Sequence, residues 1–207
     1  LEGSAPDLKE QAVVVGAHME HLGIGGAGSG SLLPDANEIK NGADDNASGV
    51  AGVLELAHYF SNESKRQMPR HNILFALWSG EELGNLGSTY FVDNLKRSGL
   101  SISAYLNMDM IGRLSDSTHG LTIGGYGTSP VWGEVLSNTD NYLKINFDSS
   151  GTGPSDHTSF YRKDFDISDE ENARLNLQMG ESAFAMGRYL YAEKRFTTAA
   201  RYFEQAY

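Results

Sequence analysis

Five short stretches of this chain carry side chains able to hold a metal ion. "AHMEH" supplies His18, "KNGADDNASG" supplies Asp44 and Asp45, and "WSGEELG" supplies Glu81 and Glu82. "NMDM" supplies Asp109, and "GPSDHTSF" supplies His157. Each has an ordinary explanation on its own. Adjacent aspartates between glycines suit a polar turn ahead of a helix, with Asn46 or Ser48 as the cap. A Glu pair at a helix start complements the helix dipole. Together they suit a different chemistry. Two imidazoles and three carboxylates, one of them bridging, can hold two Zn²⁺ ions about 3.5–4 Å apart. Mixed imidazole and carboxylate donors favour Zn²⁺ over Ca²⁺ or Mg²⁺. Water at such a centre has its pKa lowered towards about 7, and a further carboxylate must take its proton. Neighbouring glutamates at a helix start could divide these tasks, because their side chains diverge by about 100°.

These residues sit where alternating strands and helices end. "AVVVGAH" (12–18) reads as a buried strand, and 23–42 as a long Gly- and Ser-rich loop. Val50, Val53, Leu54, Ala57 and Phe60 fall at helical spacing. "HNILFALWSG" (71–80) is a second strand, and 82–97 a second helix with Leu83, Leu86, Tyr90, Phe91 and Leu95 on one side. Strands follow at 102–110, 120–125 and 144–147, with helices at 129–141 and 155–163. The alternation predicts an α/β fold with a largely parallel sheet. In such a sheet, ligands gather at the carboxyl ends of the strands, where His18, Glu81, Glu82 and Asp109 lie.

The pattern changes near Phe165. Residues 166–207 contain no proline and read as two helices, with Ala183, Gly187, Leu190, Phe196, Ala199, Phe203 and Ala206 spaced as in one tetratricopeptide repeat. This predicts a catalytic domain at 1–165 and a C-terminal α-helical hairpin at 166–207. The hairpin's apolar face would pack on the α/β domain, on a second copy or on a docking partner, because one repeat cannot bury itself.

The 207 residues are 40% hydrophobic, enough for one substantial core. A net charge of −11 argues against non-specific binding to nucleic acid or anionic membrane. There is no cysteine, hence no disulfide or thiolate ligand. No stretch approaches the roughly 20 apolar residues of a membrane span. The start, "LEGSAPDLKEQ", has neither a basic nor an apolar leader region and no initiator Met. It reads as a fragment or a mature product.

"VVVGAHMEHLG", "NGADDNASGV", "WSGEELGNLGS", "NMDMIGR" and "SDHTSF" resemble, in order and spacing, the M28 family of dizinc aminopeptidases over residues 1 to about 163. The resemblance implies a three-layer α/β/α sandwich with a mostly parallel mixed sheet, peptide substrates with a free N-terminus, and a secreted or periplasmic location. It implies that His18 and Asp109 bind one zinc, that Glu82 and His157 bear on the other, and that Asp44 bridges both. Glu81 would be the general base. The peptide bond between Asp44 and Asp45 would be cis. The sequence departs from the family at three places. Glu20 stands where the family has an Asp that orients the histidine ligand. The closing strand and pocket segment expected after His157 are missing, replaced or outside this chain, and no His follows His157. The opening residues resemble an internal segment of longer members.

Three functions are consistent with these residues: a metal-dependent aminopeptidase, a carboxypeptidase or glutaminyl-cyclase-like enzyme on the same scaffold, and a metal-binding interaction protein docking through the hairpin.

Overall fold

Val13, Val14 and Val15 lie in the strand around which the other elements assemble. The computed structural model describes residues 1–26, 29–32, 38–63, 69–113, 120–137 and 144–162. In chain order the strands are β1 (Gln11–His18), β2 (Gly23–Ile24), β3 (Ile39–Lys40), β4 (Asn72–Trp78), β5 (Ser101–Asn107), β6 (Gly120–Ile123) and β7 (Lys144–Phe147). The helices are α1 (Gly49–Glu63), α2 (Leu86–Ser98), α3 (Val131–Ser137) and α4 (His157–Arg162). β1 is the middle of a three-stranded parallel sheet ordered β4-β1-β5. Every residue of β1 after Gln11 is buried. A strand covered on both faces needs this near-continuous apolar run.

The two faces are covered by different helices. On one, Val53 and Leu56 of α1 pack with Val15, Ala17, Ile73, Met108 and Ile111. On the other, Val92 of α2 and Phe160 of α4 pack with Ala12, Val14, Trp78 and Ile102. Phe160 stacks on Tyr105 with ring centroids 3.9 Å apart. The register sets His18 level with Trp78 and Gly16 level with Asn107. The loops after β1, β4 and β5 therefore leave from one edge. Trp78 and Tyr105 close over Gly16, where an added Cβ would lie 2.7 Å from Trp78 Nε1. That closeness lets the Trp78 indole donate to the Tyr105 hydroxyl at 2.9 Å. Tyr105 donates on to Asn107, and Asn107 to Ser155, tying the loop before α4 to the same edge.

Some expectations change. The helix expected from residue 82 begins at Leu86. Gly80, Gly84 and Asn85 all adopt positive φ, and the Glu81 carbonyl accepts hydrogen bonds from the amides of Gly84 and Asn85. These close a turn before the helix begins, with Gly and Asn at the positions that favour left-handed backbone. β6 pairs with β7 in parallel and β2 with β3 antiparallel. Among the described residues neither pair joins the central sheet. The hairpin expected over 166–207 lies outside the described residues, as does the end of the helix expected over 129–141. Among the described residues, no helix is long and apolar enough to cross a membrane.

Candidate metal centre

His18 ends β1 and is 1% exposed. Its Nδ1 lies 3.0 Å from the backbone carbonyl of Glu20. A carbonyl can only accept, so Nδ1 carries the proton there. Nε2 points the other way, 3.1 Å from Asp45 Oδ1 and 3.4 Å from Asp109 Oδ1. A histidine held through one nitrogen, with the other facing carboxylates, is oriented as metal-binding histidines are.

The wide turn Ala43–Ser48 carries both aspartates into α1. The structure places the two aspartates differently from one another, with Asp45 and not Asp44 beside the histidines. The Asp44 carboxylate accepts from the amide of Gly112 at 2.9 Å, and its backbone carbonyl accepts from the Ser48 hydroxyl. It ties the loop after β5 to this turn and belongs to neither donor group. Asp45 takes the central place, and the cis peptide bond is Asp45–Asn46 rather than Asp44–Asp45. Asn46, 2% exposed, fixes that arrangement. Its Nδ2 donates to the Met108 carbonyl at 2.9 Å, and its Oδ1 accepts from the amides of Gly49 and Met110. Gly49 must be small, because a Cβ there would lie 2.3 Å from the Met108 carbonyl oxygen.

Glu81 and Glu82 ride the turn before α2, so the turn rather than a helical step separates their side chains. The turn is held from β1's side. Glu20 Oε1 accepts from the Glu81 amide at 2.5 Å and lies 3.4 Å from that of Glu82. Glu20 therefore orients His18 with its backbone, while its longer side chain reaches the glutamate turn. Beside it His21, which the sequence reading missed, has Nδ1 2.6 Å from Glu82 Oε1 and 3.6 Å from Asp45 Oδ2.

Among the described residues, donor atoms lie within 4.8 Å of one another in two groups, His18–Asp45–Asp109 and His21–Asp45–Glu82. Asp45 is common to both and offers one oxygen to each. His157 stands outside both groups, close enough to Gly153 that a Cβ there would lie 3.0 Å from its Nε2. Burial holds its imidazole below the ordinary range, against the opposing charge of Asp109.

The electrostatics are those of a site short of positive charge. Burial pushes the Glu81 carboxyl up to about 7, with Asp109, Asp156 and Glu82 adding and His18 opposing. Asp45 is raised by burial and then by the charges of Asp109 and Glu82. Burial also opposes charge on His18, but Asp109, the Glu20 carbonyl and Glu81 outweigh it and carry the imidazole to about 9. Burial works against the Asp109 carboxylate too, yet His18 and Ser155 hold its pKa below the ordinary range. Without a cation, crowded carboxylates are relieved only by holding protons. Asp156 is fully buried, and neither carboxylate oxygen has a hydrogen-bond partner, the Ser88 hydroxyl being turned to Asn85 and Ser159. The donor set, the oriented His18 and the excess of negative charge all fit a divalent cation.

A model of peptidase family M28 matches residues 1–198. The chain belongs to peptidase family M28. The match runs past residue 165, through most of the segment read from sequence as a separate hairpin. Leupeptin-inactivating enzyme 1 of Streptomyces exfoliatus is 36% identical over 122 residues, covering 58% of this chain and 26% of that protein. An aminopeptidase of Pseudomonas aeruginosa is 37% identical over 101 residues, covering 48% of this chain and 15% of that one. The solved structure of the Legionella pneumophila LapA aminopeptidase superposes with a TM-score of 0.60 at 21% identity, over 87% of this chain and 52% of that one. This likeness shows the fold. The chain aligns with about a quarter or less of the length of these two curated relatives.

His21 and Asp45 had a signal in the sequence. His21 follows His18 at three residues' distance in "HMEH", and Asp45 adjoins the aspartate that was chosen. Deciding between adjacent aspartates requires knowing which one the loop turns inward. Asn46 makes that choice by bonding to Met108, just after β5.

Proposed function

We propose that this M28 chain carries the catalytic site of a two-zinc aminopeptidase. The observation that carries this reading is Asp45, which stands between two imidazole-and-carboxylate groups with one oxygen towards each. His18, Asp45 and Asp109 would hold one ion. Asp45 and Glu82 would hold the other, with His157 as the further ligand the family resemblance implies. We read the central sheet, covered by α1 on one face and by α2 and α4 on the other, as part of the α/β/α sandwich.

Bound zinc would polarise the peptide carbonyl and make water a nucleophile near neutral pH. The chain's own residues would do the rest. The Glu81 carboxylate takes the proton from the attacking water and delivers it to the departing amine nitrogen as the C–N bond breaks. A group with a pKa close to the working pH suits both transfers. The Glu20 carboxylate, bonded to the Glu81 amide, holds that carboxylate on its turn. Burial of His18 and half-burial of Asp45 and Asp109 limit the water that competes for the site.

The test is turnover by the zinc-loaded protein of amino-acid anilides beside their N-acetylated counterparts. Release from the free-amine substrates alone is the expected result. Equal release from both series would point to a different hydrolase, and no release at full zinc loading would refute an active site in this chain.

A further inference from the structure

Trp78, Tyr105, Asn107 and Ser155 form a chain of hydrogen bonds that ends at the metal centre. The Trp78 indole donates to the Tyr105 hydroxyl at 2.9 Å, Tyr105 donates to Asn107 Oδ1 at 2.7 Å, and Asn107 Nδ2 donates to Ser155 Oγ at 2.8 Å. The Ser155 hydroxyl in turn bonds the Asp109 carboxylate. The direction is fixed at both ends. An indole N–H can only donate and an ionised carboxylate can only accept, so every proton between them points towards Asp109.

The fold builds this chain across the sheet. Tyr105 and Asn107 are two apart on β5 and share a face. Trp78 ends β4, on the other side of β1. Gly16 is the gap in β1 over which indole and phenol meet, since a Cβ there would lie 2.7 Å from Trp78 Nε1 and 2.8 Å from the Tyr105 hydroxyl. Phe160 stacks on the Tyr105 ring, 8° from parallel, and fixes its plane. Ser155 is 5% exposed, and its carbonyl accepts from Asn85 on the turn that carries Glu81 and Glu82. None of the four residues belongs to either donor group.

We infer that Tyr105 is a positioning residue for the metal centre, acting on Asp109 through Asn107 and Ser155. The inference rests on the two-zinc reading, in which Asp109 and His18 hold one ion. Asp109 lies just past β5, with one oxygen towards His18. The chain holds the carboxylate in that aim, and each bond strengthens the next because all the dipoles run one way. Hydrogen-bond partners behind a metal-binding carboxylate are worth about 10–100-fold in metal affinity.

A plainer role would be to brace the loop before α4 against β5, and that would leave metal affinity untouched. The full chain, stripped of metal by a chelator, is titrated with Co²⁺ by calorimetry and visible absorption. His18→Ala marks the binding step that belongs to the Asp109 ion. Ser155→Ala is expected to weaken that step about 10–100-fold, and Tyr105→Phe, which keeps the ring on Phe160, about tenfold. The double variant is expected to bind no more weakly than Ser155→Ala, because the phenol then has no serine hydroxyl to act through. Urea unfolding of each metal-free variant shows that it is folded. Affinity in Tyr105→Phe within about twofold of wild type would overturn the inference and leave a brace, as would losses that multiply in the double variant. A wild-type protein that takes up no Co²⁺ would overturn the metal reading itself, an outcome read before any variant is made.

Discussion

Replacing Asn46 by Ala should cost more stability than its small volume suggests. The side chain fills no large hole. It satisfies three backbone groups at a buried junction: the Met108 carbonyl, the Gly49 amide and the Met110 amide, at 2.9, 3.0 and 3.2 Å. Alanine leaves all three without that partner. A net loss of about 1 kcal/mol for each gives about 3 kcal/mol, with the higher cost of an unsatisfied buried group as the upper side. For a chain of this size that corresponds to a fall in Tm of roughly 6–12 °C. The damage should also reach the site, because the same bonds hold the Asp45 turn against the loop carrying Asp109. Urea unfolding of the metal-free protein isolates the stability term, and Co²⁺ titration reads the second effect. Asn46→Asp is the sharper companion. It keeps the shape and the acceptor but sets a carboxylate against the Met108 carbonyl, so it should lose at least as much. A loss below about 1 kcal/mol in Asn46→Ala, with metal affinity unchanged, would refute the idea that this side chain sets the position of Asp45.

Asp45→Asn should weaken binding of both ions, while Asp44→Asn should keep both and lose at most about 1 kcal/mol from its carboxylate's bond to the Gly112 amide; isothermal titration with Zn²⁺ separates them, and the reverse outcome would return the bridge to Asp44. Glu81→Gln should retain both ions by elemental analysis and lower the rate about 10²–10⁴-fold in the anilide assay. His71 is 5% exposed, its Nε2 has no partner, and burial followed by the nearby Arg70 charge holds its pKa below 6.5. The unfolded chain therefore binds the proton more readily, so the stability owed to a neutral His71 is complete above about pH 6.5 and drains away as pH falls towards the folded value. Wild type and His71→Phe should then show a stability difference that shrinks or reverses on acidification from pH 7.5 to 5 in urea titrations, and a constant difference would refute this. The donors clustered among the described residues all lie on the loops of the central sheet, so a chain ending at residue 165 should still bind metal; a truncated protein that unfolds would show that the segment through 198, which the family match includes, completes the catalytic fold.

The elements were legible from sequence where period and burial agree. Residues 12–18 read as a buried strand because a central parallel strand has no polar face to show, and β1 has none after Gln11. The start of α2 was misread because Glu81–Leu86 contains good helix formers. Gly80, Gly84 and Asn85 override them by taking left-handed backbone, which propensity summed over a window does not register. The largely parallel sheet expected from the alternation is present as β4-β1-β5, and among the described residues β6 and β7 pair with each other outside it. Glu20 was legible as a departure, and the structure gives it a use. One extra methylene takes its carboxylate away from His18 and into the amides of Glu81 and Glu82.

Which donors share an ion is a question of a different kind. Sequence order places His18, Glu82 and Asp109 on three loops, and the parallel register alone brings those loops to one edge. Within a loop, though, adjacent residues point in different directions, so "DD" and "HMEH" each offer a choice that no periodicity resolves. The choice is made by long-range bonds from residues outside the two donor groups. Asn46 reaches Met108 across 62 positions of sequence, and Glu20 reaches Glu81 across 61. Asp44 reaches Gly112 across 68. Two of these contacts join the turn before α1 to the loop after β5, and the third joins the loop after β1 to the turn before α2. Each loop is thereby held by its neighbour's backbone, and its carboxylate is left free to face the centre. A site built this way tolerates like charges at close range because the loops cannot swing apart to relieve them. The loop positions hold the charges together, and a cation answers what the loops enforce.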